Sequence, residues 1–171
     1  DRVFAARGIT EPAQLERGLA NLLSPADLPE IDRAAQRLAD AIIEDQKILI
    51  VGDFDADGAT SVALCLLALR AMGARHVDFL VPNRFDYGYG LSPEIVLLAA
   101  GMAPRLIVTV DNGVASVDGV ALANELGMDV VVTDHHLPGD VLPDAFALVN
   151  PNVVNSRFAS KAMAGVGVAY Y

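Results

Sequence analysis

From Lys47 onward the chain alternates short, β-branched apolar runs with helical stretches, and no other feature constrains its fold as much. The runs ILIV, LIVTV and VVVT are continuously apolar or nearly so, as expected of strands covered on both faces. Strands are predicted near 47–52, 77–81, 105–110, 129–133 and 145–149, and helices near 59–73, 93–101, 114–127 and from 166. Such alternation implies right-handed βαβ units. The expected class is α/β: a mostly parallel five-stranded sheet, Rossmann-like, with helices on both faces and N-terminal helices before it.

Each predicted strand ends on polar residues. ILIVGDFDADG closes on Asp53, Asp55 and Asp57; LIVTVDNG on Asp111; VVVTDHH on Asp134, His135 and His136; FALVNP on Asn150. In an open parallel sheet the C-terminal strand ends line one crevice, where ligands bind. Residues far apart in sequence are therefore expected to meet in one acidic pocket.

Asp53, Asp55 and Asp57 stand at alternate positions and would point to one side if the strand stayed extended. Three carboxylates so close repel one another unless a cation sits among them. Capping of the following helix would need only one Asp. The spacing is unlike a calcium loop, since the glycine falls early and no twelfth-position Glu follows. Adjacent residues on an extended segment point in opposite directions, so His135 and His136 are not expected to share one metal. One would ligate and the other face substrate phosphate, with Asp134 orienting an imidazole. His76 has no carboxylate cluster nearby in sequence and is read as structural.

Between them lies PNRFDYGYGLS. Arg84 is suited to a bidentate phosphate contact, and Gly88 and Gly90 permit a loop that folds over substrate. Tyr87 and Tyr89 suit packing of that loop better than base stacking. Ser92-Pro93 has the form of an N-cap with a first-turn proline. Ala164-Gly165-Val166-Gly167 is a glycine-rich helix start, but neither a Walker loop nor a dinucleotide fingerprint is present. Oxygen ligands with one or two imidazoles and no thiolate suit Mn2+ or Mg2+ better than structural zinc. Two such ions about 3.5–4 Å apart would serve phosphoester hydrolysis.

Residues 1–46 read as a helical segment and 47–171 as the core. Leu15, Leu19 and Leu22 share one helical face, with Thr10 as N-cap and Pro12 in the first turn. Ser24 to Pro29 is a break, after which Ile31, Ala34, Ala35, Leu38 and Ile42 follow at helical spacing. No apolar run is long enough to span a bilayer, and no secretory signal is visible. The single cysteine, Cys65, excludes an intrachain disulfide and fits a reducing cytosol, so the expected location is cytoplasmic. A net charge of −10 argues against broad, unaided electrostatic binding to nucleic acid. It leaves open an enzyme whose acidic pocket is neutralised by metal. The chain ends on the apolar GVGVAYY, which reads as a truncation at the C-terminus.

GDFDADGATS, VPNRFDYGYGLS, VTVDNG, VTDHH and AGVGVAYY together resemble the DHH phosphoesterases, and within them the RecJ type of single-strand-specific DNA exonuclease. The resemblance runs from about Lys47 to the end. It implies a metal-dependent 5′ to 3′ exonuclease on single-stranded DNA, acting in repair and recombination with Mn2+ or Mg2+. By the same resemblance Asp55, Asp57, Asp111 and His135 match metal ligands, Asp111 as the bridging carboxylate. Asp53, Asp134 and His136 match supporting or substrate-side positions, and Arg84 and His136 match contacts to substrate phosphate. Members of the family carry a further ligand aspartate and a smaller substrate-binding domain beyond the glycine-rich helix. The expected site is thus incomplete, with weak Mn2+ binding and little hydrolysis. The alternatives are a phosphoesterase of short oligonucleotides, cyclic dinucleotides or pyrophosphate on the same core, and a non-catalytic scaffold.

Overall fold

The computed structural model describes residues 2–16 and 18–171, with the side chains of Arg84 and Phe85 outside the description. Five strands form one sheet: β1 (Ile48–Val51), β2 (Val77–Leu80), β3 (Leu106–Val110), β4 (Asp129–Thr133) and β5 (Ala147–Val149). Their order is β2-β1-β3-β4-β5 and every pairing is parallel. The α/β class, the five strands and their positions agree with expectation.

The helices are α1 (Arg2–Ala6), α2 (Ile31–Ile43), α3 (Ala56–Ala71), α4 (Arg84–Tyr87), α5 (Pro93–Gly101), α6 (Val117–Glu125) and α7 (Gly165–Tyr170). Strand residues alternate between two apolar layers, as the twofold repeat of a strand requires. Ile48, Ile50, Val108, Val110 and Val131 pack with Ala34 and Ala41 of α2, Val62 and Leu69 of α3, and Val168 of α7. Leu49, Val51, Ile107, Val130 and Val132 pack on the other face with Ile95, Val96 and Ala99 of α5 and Val120 and Ala123 of α6.

The strand order places a topological switch between β1 and β3. From β1 the chain passes through α3 to β2; from β3 it passes through α6 to β4. Helices α3 and α6 lie on opposite faces, so a crevice opens between their N-terminal ends beyond β1 and β3. The side-chain amide of Asn112 donates to the carbonyls of Val51 (3.1 Å) and Val110 (2.9 Å), tying the two strand ends together there.

Two local expectations fail. Residues 10–22 do not form one amphipathic helix. Isolated 3-10 turns stand at Pro12–Leu15 and Leu19–Asn21, and Leu15, Leu19 and Leu22 are 44, 71 and 47% exposed. Among the described residues the leucines stay largely exposed, so helix formation loses the burial that most stabilises short helices. Pro12 does start a turn, but Thr10 caps nothing with its own oxygen. The Gln14 side chain instead accepts from the N–H groups of Thr10 and Glu11. The helical reading is right from Ile31 onward. There Arg37, buried on α2, donates to Asp129 (2.8 Å) and Gln46 (2.8 Å), fastening α2 to β4.

The second failure is the start of the helix after β1, predicted near 59; the condition that Asp53 to Asp57 stay extended is not met. β1 stops at Val51, and Asp55 caps α3 by accepting from the Gly58 N–H at 2.9 Å. Helix α3 therefore begins three residues before the predicted start, with Asp57 in its first turn. Gly58 is required for this tight entrance, because a Cβ there would meet the Asp53 backbone.

Candidate metal centre

The carboxylates converge even though the strand does not continue. Oxygens of Asp53, Asp55 and Asp111 lie within 4.8 Å of one another, and so do ligand atoms of Asp111, His135 and His136. Asp111 belongs to both groups. It follows β3 with φ 61°, a left-handed backbone that Asp and Asn tolerate better than most residues. This turn directs its carboxylate into the crevice, where the residue is only 2% exposed.

Asp111 Oδ1 is buried without a well-aligned hydrogen bond. His135 Nε2 lies 3.1 Å from it and 3.7 Å from Asp57 Oδ2. Burial, then repulsion by Asp57 and Asp55, pushes the Asp111 carboxyl up to about 6, against the opposing pull of His135 and His136. A buried carboxylate oxygen without a well-aligned hydrogen bond among the described residues, facing further carboxylates and an imidazole, fits a divalent cation.

Asp57 comes from α3 but is held by α7. Its two oxygens accept from the N–H groups of Gly165 and Val166, both at 2.7 Å. A carboxylate offers about four lone-pair positions, so these bonds leave capacity for a ligand role. The glycine-rich start of α7, ambiguous in sequence, therefore has a definite use: its first amides aim at a site carboxylate.

Asp134 is 1% exposed and faces inward rather than toward the carboxylate cluster. One oxygen accepts from Val114 N at 2.8 Å. The other accepts from His135 N (2.7 Å), His136 N (3.0 Å) and lies 2.8 Å from His136 Nδ1. It fixes the His136 ring, as the sequence suggested for an orienting carboxylate. Burial pulls the His136 imidazole down, but the Asp134 hydrogen bond and the charges of Asp134, Asp111 and Asp53 carry it above the ordinary histidine value. The expectation that the two histidines point apart fails: their rings are 4.5 Å apart and tilted by 52°, and ligand atoms of both lie within 4.8 Å of Asp111, because the chain after β4 no longer runs as an extended strand.

Tyr89 is a contact that sequence reasoning missed. Its hydroxyl donates to the Asp111 carbonyl at 2.9 Å and lies 3.3 Å from His136 Nδ1. Burial and the nearby carboxylates raise its phenol well above the usual range. Tyr87 instead packs against the α5–α6 core layer. Gly88 and Gly90 adopt φ 76° and 78°, as a tight loop here demands, and Ser92 caps α5 as predicted. The Arg84 side chain lies outside the described residues, so its expected phosphate contact has no geometry here. His76 is 3.4 Å from Asp45 Oδ2 on the surface, away from the cluster. Burial raises the Cys65 thiol to about 11, which leaves it unreactive.

The family model described as "DHH family, N-terminal domain" matches residues 47–171. The single-stranded-DNA-specific exonuclease RecJ of Dickeya dadantii is 56% identical over 170 residues, covering 99% of this chain and 30% of the relative. Its counterpart in Escherichia coli is 52% identical, with the same coverage of both chains. Among solved structures, an exonuclease RecJ bound to manganese superposes with a TM-score of 0.76 at 35% identity, over 84% of this chain and 36% of that one. RecJ from Thermus thermophilus in complex with Mn2+ does so with 0.76 at 30% identity, over 98% and 23%. The chain thus spans about 30% of the length of the curated relatives it matches.

Proposed function

This chain belongs to the DHH family, and on that premise we propose that it carries the metal-binding part of a 5′ to 3′ exonuclease acting on single-stranded DNA. The observation that carries the reading is the position of Asp111, shared between a carboxylate trio and a histidine pair. One buried carboxylate common to two sets of donors would suit a residue that serves a cation on either side. The names and Mn2+ complexes of the relatives support Mn2+, or Mg2+, as the cofactor.

When bound, a pair of such cations activates water and stabilises the leaving oxygen of a phosphodiester. Asp55, Asp57, Asp111 and His135 are the proposed ligands, and Asp53 joins the set by its proximity to Asp55 and Asp111. Asp134 holds the His136 ring, leaving Nε2 to face substrate phosphate, with Arg84 proposed as a second phosphate contact. Cation binding also relieves the repulsion among the carboxylates. It lowers the negative potential that would otherwise repel a nucleic acid from a chain of net charge −10.

In this reading residues 1–46 are an N-terminal segment joined through α2 to a DHH core of 47–171. The substrate is single-stranded DNA, the setting is repair and recombination, and the location is the cytoplasm. Among the described residues no helix is long and apolar enough to cross a membrane.

The test is digestion by the longer protein that contains this chain, with Mn2+ and with chelator. Long single-stranded DNA labelled at either end is compared with duplex DNA, dinucleotides and pyrophosphate. Metal-dependent release of nucleotides from the 5′ end of single strands is expected. Preference for dinucleotides or pyrophosphate would replace the exonuclease with the smaller-substrate phosphoesterase, and no turnover on any substrate would favour a scaffold.

A further inference from the structure

The end of β5 carries Asn150-Pro151-Asn152, a motif that the proposed chemistry leaves without a role. The β4–β5 ladder runs to Asp134, whose N–H donates to the Val149 carbonyl at 3.1 Å. A parallel ladder would next draw a donor from residue 151, but Pro151 has no N–H, so backbone pairing must stop. Two side-chain amides continue it. Asn150 Nδ2 donates to the His136 carbonyl at 3.0 Å, and Asn152 Nδ2 donates to the His135 carbonyl at 2.5 Å.

The pair is itself braced. Asn150 is fully buried, and its Oδ1 accepts from Asn152 N at 2.7 Å. Lys161 Nζ donates to the Pro151 carbonyl (2.6 Å) and to the Ser156 carbonyl (3.0 Å), while its own carbonyl accepts from Asn152 Nδ2 at 3.2 Å. From the opposite side, Asp134 takes the N–H groups of both histidines. Each histidine residue is therefore held on both sides, its N–H by Asp134 and its carbonyl by an asparagine.

We propose that Asn150 and Asn152 are positioning residues that lock the His135–His136 backbone, so that one ring meets Asp111 and the other meets Asp134. This inference rests on the reading of those histidines as site residues. Neither asparagine reaches the cluster; each acts through a histidine carbonyl. Without them the segment after Asp134 has no ladder to fix its peptide planes, and rotation of one plane would turn an imidazole away from its carboxylate.

The experiment compares the longer protein that contains this chain with its Asn152→Ala, Asn152→Asp and Asn150→Ala variants by 15N NMR of the imidazole rings, at one neutral pH in chelator and then on Mn2+ titration. Asn152→Asp keeps the shape and removes the donor. It also covers the case in which Asn150→Ala, at a fully buried position, fails to fold. Expected in the Asn152 variants are ring signals averaged between tautomers, and an Mn2+ concentration for ring broadening raised about tenfold. That factor is the low end of what an outer hydrogen bond contributes to a metal site. Ring signals and Mn2+ response unchanged from the parent in both Asn152 variants would overturn the proposal. If Mn2+ leaves the parent's own rings undisturbed, the hydrolase reading falls, and the tautomer comparison in chelator still decides the clamp.

Discussion

Gly165, the first residue of α7, seats directly against the carboxylate of Asp111: a Cβ built on it would lie 2.7 Å from both Cβ and Cγ of Asp111. The same glycine donates its N–H to Asp57. One residue thus sets the separation of two proposed ligands, by a hydrogen bond to one and by the absence of a side chain beside the other. Gly165→Ala is expected to destabilise the chain by about 1–3 kcal/mol, the usual cost of overpacking a filled site. It should also weaken Mn2+ binding. Thermal melts with and without Mn2+ check both; unchanged Mn2+ stabilisation would show that the carboxylates shift without consequence.

Asp111→Asn keeps a residue type suited to φ 61° and removes the charge. The folded chain holds the Asp111 proton up to about pH 6, whereas the unfolded chain releases it near 3.8. Ionising Asp111 therefore costs the metal-free fold stability as pH rises through that window, on the order of 1–3 kcal/mol. In chelator the variant should gain stability over the parent across this range and keep a constant advantage above pH 6. With Mn2+ the order should reverse. Urea unfolding at several pH values, with and without Mn2+, reads the difference.

Asp134→Ala removes a buried acceptor of three backbone N–H groups and one imidazole contact. Each buried donor left unpaired costs about 1–3 kcal/mol. A loss of roughly 3 kcal/mol or more is expected by urea denaturation. His136 should lose its fixed tautomer, while the Asp53, Asp55 and Asp111 side still responds to Mn2+.

Arg37→Met separates scaffold from site. The substitution leaves Asp129 and Gln46 without their partner at the α2–β4 seam. A cost of about 1–3 kcal/mol is expected, less than for a fully buried pair because Asp129 is 37% exposed. Mn2+ affinity should stay within error of the parent in calorimetry, since no contact of Arg37 reaches the crevice.

The predicted strand positions and the observed ones nearly coincide because doubly covered strands must be continuously apolar, a local signal. The N-terminal leucines carried an equally clear local pattern and still failed. Periodicity reports what a helix would look like, whereas burial against a partner decides whether it forms, and Leu19 stays 71% exposed. The late predicted start of α3 has a similar origin. Alternate spacing suited an extended strand, but a capping bond from Gly58 to Asp55 turned the chain into α3 first.

Residue types at the strand ends were enough to nominate Asp53, Asp55, Asp57, Asp111, Asp134, His135 and His136 together, because carboxylates and imidazoles are chemically informative wherever they occur; the choice of Asp55, Asp57, Asp111 and His135 among them came from the family resemblance. The arrangement among them was not legible in the same way. That Asp111 stands between two donor sets, that α7 amides hold Asp57, and that Asn150 and Asn152 grip the histidine carbonyls all depend on strand order and on backbone groups. Backbone N–H and C=O groups are the same at every residue, so no sequence records which of them a side chain will meet. Local patterning and residue chemistry set the fold class and the inventory of donors. The folding of β1 beside β3, with α7 packed on α3 and against β3 and β4, set the distances among them.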